Sequence, residues 1–308
     1  MLDIVGKRYW FFGLSLLVII PGLIFLIMFG LPLAIDFSGG SLLEVAFVSG
    51  NAPALEDVRT IYAAAGFPDS VVQSSGSNTI IIRSKAMDDA QKAAIVNTMS
   101  EQFNSDITIL RFESVGASIG KEVTRQALYA VGAAALAITL YITFAFRGVP
   151  NAWRYGISAV IAMLHDVLVV IGLEAMLGQI LGWETDALFL TALLTVIGFS
   201  VHDTIVVFDR IRENTNIFRR IPYEQVVNHS IVQTLVRSIN TSTTVMITLL
   251  SLALLGGVTT RHFTIILLLG IFSGTYSSIF NAASILVVWE NKEWKTWFRK
   301  RKETPAAA

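Results

Sequence analysis

Cysteine is absent, so the chain holds no disulfide framework, no thiolate metal site and no thiol nucleophile. Charge is scarce. Lys, Arg, Asp and Glu make up 15% of the 308 residues, and the 23 basic and 23 acidic side chains cancel. That balance excludes nucleic acid or any strongly charged partner as the organising theme. What remains is apolar: 54% of residues are hydrophobic and the mean hydropathy is +0.63. This is too apolar for an ordinary soluble domain.

The apolar residues lie in long charge-free runs. The first, 9–35, follows Lys7 and Arg8 and is too long for a signal peptide, so it is read as an uncleaved transmembrane helix kinked at Pro21. Further spans are expected at 126–146, 155–177, 187–208, 238–260 and 263–289, with Arg261-His262 making the last turn. The stretch 209–237 is polar, and Pro222 opens a helix there. Its apolar side (Val226, Ile231, Leu235, Val236) suits a membrane surface. Lys and Arg gather in the amino terminus, the Arg147–Arg154 loop, 209–237 and the carboxyl tail. With six spans these all fall on one side, so both termini are expected to be cytoplasmic.

Residues 41–116 change character. Strand-like and helical spacing alternate as βαββαβ, the pattern of a ferredoxin-like unit. The carboxylates Glu56, Asp57, Asp88 and Asp89 fit helix starts. Before it, Asp36-Phe37-Ser38-Gly39-Gly40 reads as a turn out of the bilayer. The expected architecture is an α-helical polytopic membrane protein. It divides into 1–35 (amino terminus and first helix), 36–120 (an inserted external α/β domain), 121–290 (five further spans, with a cytoplasmic loop at 209–237) and 291–308 (a basic tail).

A carboxylate inside a bilayer is costly and usually faces a partner or a water path. Asp203, preceded by His202 and sharing a helix face with Ser200, lies within the fourth span; Asp166, preceded by His165, lies near the middle of the third. Arg237 heads a stripe of Thr241, Thr244, Thr248 and Ser251 on the fifth span. An Asp203–Arg237 pair could act as a protonation switch or hold helices statically; both readings stand. Gly270, Gly274 and Ser278 recur at four-residue steps and permit close helix packing. Two intramembrane Asp residues also admit an aspartyl protease, and two His-Asp pairs a metal site, each needing a geometry that sequence does not give.

The stretch Ile197 to Asn214 resembles the signature of the SecD/SecF family of protein-export membrane proteins. So do Asp36 to Gly40, Val115 to Gly120, Leu164-His165-Asp166-Val167, Arg237 to Ser242 and Gly274 to Phe280. The resemblance covers nearly the whole chain in order. It implies a six-helix half of a resistance-nodulation-division-type transporter, residing in the bacterial cytoplasmic (inner) membrane and completed by a SecD half. It implies assistance to the SecYEG channel, with YajC and YidC as associated proteins and unfolded preprotein as substrate. No enzyme activity and no cofactor follow; protons are the coupling ion. The family's essential Asp maps onto Asp203, its coupled Arg onto Arg237, and Asp166 also matches. His202 departs from the expected Asn. The alternative is a half-transporter of the same superfamily moving a small or lipidic substrate.

Overall fold

The computed structural model describes residues 2–50, 52–75, 77–149 and 151–294. The basic tail lies almost entirely outside the described residues. The chain divides into two compact units, residues 1–32, 130–183 and 188–308 in one and residues 33–129 and 184–187 in the other. Each is described by itself.

The first unit is built from long apolar helices. α1 (Arg8–Phe29) follows a 3-10 turn at Val5–Lys7. It ends six residues before the charge-free run does, because Gly30 takes a φ of 72° that stops the helix. Pro21 lies inside α1 without terminating it. In the second unit, α2 (Ile35–Ser38) is a single turn, followed by β1 (Gly40–Phe47), α3 (Leu55–Ala64), β2 (Val71–Ser74), β3 (Thr79–Ser84), α4 (Asp89–Phe103) and β4 (Ile107–Val115). Then come α5 (Ala117–Ala145), α6 (Ala152–Leu181), α7 (Ala187–Ile217), α8 (Tyr223–Leu255) and α9 (Val258–Tyr276). A π-helical segment Ser277–Ala282 leads from α9 into α10 (Ala283–Glu290). Among the described residues, six helical segments are long and apolar enough to cross a membrane.

The 209–237 region is not a polar loop with a surface helix. α7 runs on to Ile217, and α8 starts at Tyr223 behind the N-cap Pro222 and continues unbroken through the fifth span. Val226 is buried, Val227 and Ile231 lie in one core with Val5, Val207 and Ile211, and Leu235 packs against it, so most of that apolar stripe faces the protein, while Val236 is exposed. Arg261 and His262 lie within α9; the turn falls at Gly256-Gly257. α1 crosses α6 at two glycines: a Cβ on Gly22 would sit 2.7 Å from the Gly172 Cα.

The second unit forms an antiparallel sheet of order β2-β3-β1-β4, the ferredoxin-like order. Alternation along β1 and β3 sends Leu43, Val45, Phe47, Ile80 and Ile82 into a core with Val58, Tyr62 and Met99 from α3 and α4. α4 starts at a capping box: Asp88 accepts from the Gln91 backbone N–H and Gln91 reciprocates. The Gly39-Gly40 pair has φ values of 73° and 129°, and a Cβ on Gly39 would lie 2.7 Å from the Ala117 Cα. Asp36 does more than turn the chain: its Oδ2 accepts from the backbone N–H of Ala187 at 3.0 Å, holding the first residue of α7.

Candidate functional site: a carboxylate network inside the helices

Asp166 is fully buried in α6. Its Oδ2 accepts from the hydroxyls of Ser200 (2.5 Å) and Ser277 (2.6 Å), and its Oδ1 accepts from Ser273 at 2.9 Å and lies 2.9 Å from His165 Nδ1. Four partners from α6, α7, α9 and the π segment therefore converge on two oxygens, meeting the hydrogen-bonding requirement of a buried carboxylate. The other His165 nitrogen lies 2.9 Å from Ser15 Oγ on α1, which also accepts from Asn281 Nδ2 at 2.8 Å. Asn281 Oδ1 is buried without a hydrogen-bond partner among the described residues.

Asp203 is 2% exposed in α7. Its Oδ2 accepts from Ser242 Oγ of α8 at 3.3 Å, and Ser242 in turn accepts from Thr275 Oγ1 of α9 at 2.7 Å. A third set of bonds joins these two centres through α7: Thr204 donates to Ser278 Oγ at 2.9 Å, and Ser278 donates to the Ser200 carbonyl at 2.7 Å. Among the described residues no hydrogen bond links the Asp166 and Asp203 carboxylates, so the shared-proton contact of a carboxylate dyad is not made.

The predicted residues divide. Ser200 serves Asp166 rather than Asp203. His202 is exposed, whereas Asp203 beside it is buried. Arg237 is exposed on α8 and, among the described residues, makes no ion pair with Asp203. It lines a cavity of about 340 Å³ with Ile205, Asp209, Arg212, Glu213 and Thr234. The hydroxyls of Thr241, Thr244, Thr248 and Ser251 are exposed and bond to their own helix backbone four residues back. Gly270 and Gly274 are contact points: a Cβ on Gly270 would lie 2.2 Å from Val196 Cγ2, and one on Gly274 would lie 3.0 Å from Ser200 Cβ. Ser278 is a hydrogen-bonding residue as well as a small one.

Sequence reasoning missed Ser15 and Ser273 altogether, and it quoted Ser242, Thr275 and Ser277 only within motifs, without a role. The available signal was the four-residue step from Ser273 to Ser277, which places two hydroxyls on one helix face. Glu174, near the far end of α6, is fully buried, with His262 Nε2 2.9 Å from its Oε2.

Known proteins share this architecture. Residues 95–292 match the family described as protein export membrane protein SecD/SecF, C-terminal, and residues 24–49 match the SecD/SecF GG motif. The chain belongs to the SecD/SecF family. It is 58% identical to the protein translocase subunit SecF of Anaerolinea thermophila, across the full length of both chains. It is 52% identical to that of Thermobaculum terrenum, again over all of both. The crystal structure of SecDF from Thermus thermophilus, a translocon-associated membrane protein, superposes with a TM-score of 0.80 at 32% identity. That match covers 94% of this chain and 39% of the SecDF chain. The Bacillus subtilis SecDF is 35% identical over 95% of this chain, which again spans 39% of that longer protein. The motif glycines Gly39 and Gly40 fall inside the matched GG segment, and Asp166 and Asp203 fall inside the larger match.

Proposed function

We propose that the chain is a subunit of the Sec protein-export machinery that converts proton movement into conformational work, paired with a SecD half in the cytoplasmic membrane. The observation that carries this reading is the burial of Asp166 and Asp203 in adjacent helices, each held through hydroxyls contributed by other helices. Ionisable residues inside a bilayer mark proton or ion pathways. Protonating such a carboxylate turns an acceptor into a donor, so its hydroxyl partners must rotate or release it. Every partner here sits on a different helix segment, so the change is felt as altered helix packing. A transmembrane potential contributes about 2.3 kcal/mol per charge per 100 mV, sufficient to bias a two-state helix rearrangement appreciably.

In this reading the arginine-rich end of α7, both termini and the Arg147–Arg154 turn face the cytoplasm, and the α/β unit lies outside. The SecYEG channel is the working partner, YajC and YidC are associated proteins, and unfolded preprotein is the cargo. Arg237 approaches Asp203 in a second conformation, since the two belong to neighbouring helices α7 and α8. Asp203→Asn is expected to abolish proton-driven stimulation of export in energised membrane vesicles while assembly with the SecD half persists. Stimulation at the unsubstituted level in that variant would sink the proposal.

A further inference from the structure

A second ionisable pair sits at the opposite end of the helices from the arginine-rich exit. Glu174 of α6 is fully buried, and His262 Nε2 of α9 lies 2.9 Å from its Oε2, with the His262 side chain 16% exposed. Trp183 covers the imidazole at a ring-centroid distance of 4.7 Å. Glu174 follows Asp166 by two helical turns, about 12 Å along the axis. Between the two carboxylates lies an apolar layer where α6, α7 and α9 touch. A Cβ added to Gly270 would meet Val196 Cγ2 at 2.2 Å and Val170 Cγ2 at 3.1 Å. Val170 is 1% exposed and Val196 is 0% exposed. The arrangement is a polar site, a dry constriction and a second polar site on one helix.

α1 between residues 10 and 29, α7 before His202, and α8 after Arg237 carry no ionisable side chain. On α9 the neighbouring charge is Arg261, which is exposed. The link after Trp183 carries Glu184 and Asp186. On α6 the nearest ionisable groups are His165 and Asp166, beyond the apolar layer. The His262 Nε2 at 2.9 Å is placed to exchange a proton with Glu174.

We propose that Glu174 and His262 form a proton-exchange site at the outer end of the membrane unit, closed off from Asp166 by the Val170–Val196–Gly270 contact. This rests on the proton-driven reading above and deepens it: the outer pair takes up the proton, and separation of α9 from α6 and α7 at Gly270 passes it inward. No bond other than to hydrogen changes, and the proton leaving the outer pair is the one that reaches Asp166.

The test uses the full chain with its SecD half in vesicles, varying the pH on the side bearing the α/β unit. Export stimulation by the unsubstituted protein should depend on that pH. His262→Gln, which keeps a side-chain donor but has no exchangeable imidazole proton, should flatten that dependence. Glu174→Gln should do the same. Ring-nitrogen NMR of the unsubstituted protein, which contains four histidines, gives a readout that survives poor folding of either variant. The His262 signal, assigned through its contact with the Trp183 ring in the unsubstituted protein, should move with outer pH. Unchanged pH profiles in both variants, or a His262 signal that ignores outer pH, would overturn the outer site. Asp203→Asn separates the two ideas: full stimulation there overturns the motor reading, whereas its loss alongside unaltered Glu174 and His262 variants overturns the outer site alone.

Discussion

Replacing Asp166 tests the network most directly, because asparagine and leucine remove different parts of it. Each carboxylate oxygen has two partners: Ser200 and Ser277 on Oδ2, His165 and Ser273 on Oδ1. Asparagine keeps one carbonyl oxygen and turns the other position into a donor. If the carbonyl takes the Oδ1 place, the Ser200 and Ser277 hydroxyls lose their acceptor. Ser277 already lies 3.2 Å from the Gly274 carbonyl and can donate there, while a rotated Ser200 hydroxyl can accept from the new amide. Bonds to charged groups contribute about 1.5–3 kcal/mol each. With two lost and part of that recovered, Asp166→Asn should cost about 2–3 kcal/mol. Leucine removes every acceptor; Ser277 can turn to the Gly274 carbonyl, and the three other polar groups are stranded at about 1–3 kcal/mol each, so about 3–9 kcal/mol is expected. That is comparable with the whole stability of a typical domain. Denaturant unfolding in detergent, followed by near-ultraviolet circular dichroism, should rank the proteins as unsubstituted, then Asn, then Leu. Equal stability of the two variants would show that Asp166 fills space and that its hydrogen bonds contribute little.

Two further outcomes follow from other parts of the structure. Gly22→Ala should push α1 from α6, because the added methyl would lie 2.7 Å from the Gly172 Cα; a loss of about 1–3 kcal/mol is expected, and unaltered unfolding would refute the close crossing. Glu293 anchors the end of α10 to the amino terminus. Burial opposes its charge, but hydrogen bonds from Tyr9, Arg8 and Asn291 outweigh burial and hold its carboxyl below the ordinary value of 4.5. A depressed carboxyl contributes stability that is present above its unfolded value and lost as pH falls through the folded one. Spin labels placed at residues 3 and 292 of the cysteine-free chain, which leave Tyr9, Arg8 and Asn291 in place, should therefore separate only as pH falls below the ordinary carboxyl value, and Glu293→Gln should separate them at neutral pH as well; distances insensitive to both changes would remove the anchor.

The spans and the α/β unit were legible because the bilayer and the sheet each impose a period. A helix crossing hydrocarbon must be apolar for about 20 residues, and 9–35, 126–146 and the later runs announce themselves by lacking charge. Strand alternation at Leu43, Val45 and Phe47 is equally plain. The reading failed where helices leave the bilayer, because polarity there was taken for a loop. Asn214 of α7 instead donates to Ser230 and Gln233 of α8 at 2.9 Å each, and both helices continue beyond their apolar runs as a paired extension. The carboxylates were legible as misplaced charges, whereas their partners were not, since serine and threonine are unremarkable in an apolar run. What gathers them is the π-helical segment Ser277–Ala282. In a regular α-helix, Ser277 and Ser278 point about 100° apart, and only one can share the face of Ser273. Here both are fully buried: Ser277 reaches Asp166, and Ser278 reaches the Ser200 carbonyl one helix away. A local widening of the helix is the kind of irregularity that accumulates at functional sites. It leaves no mark in hydrophobic periodicity, because it changes where hydroxyls point and not which residues are apolar.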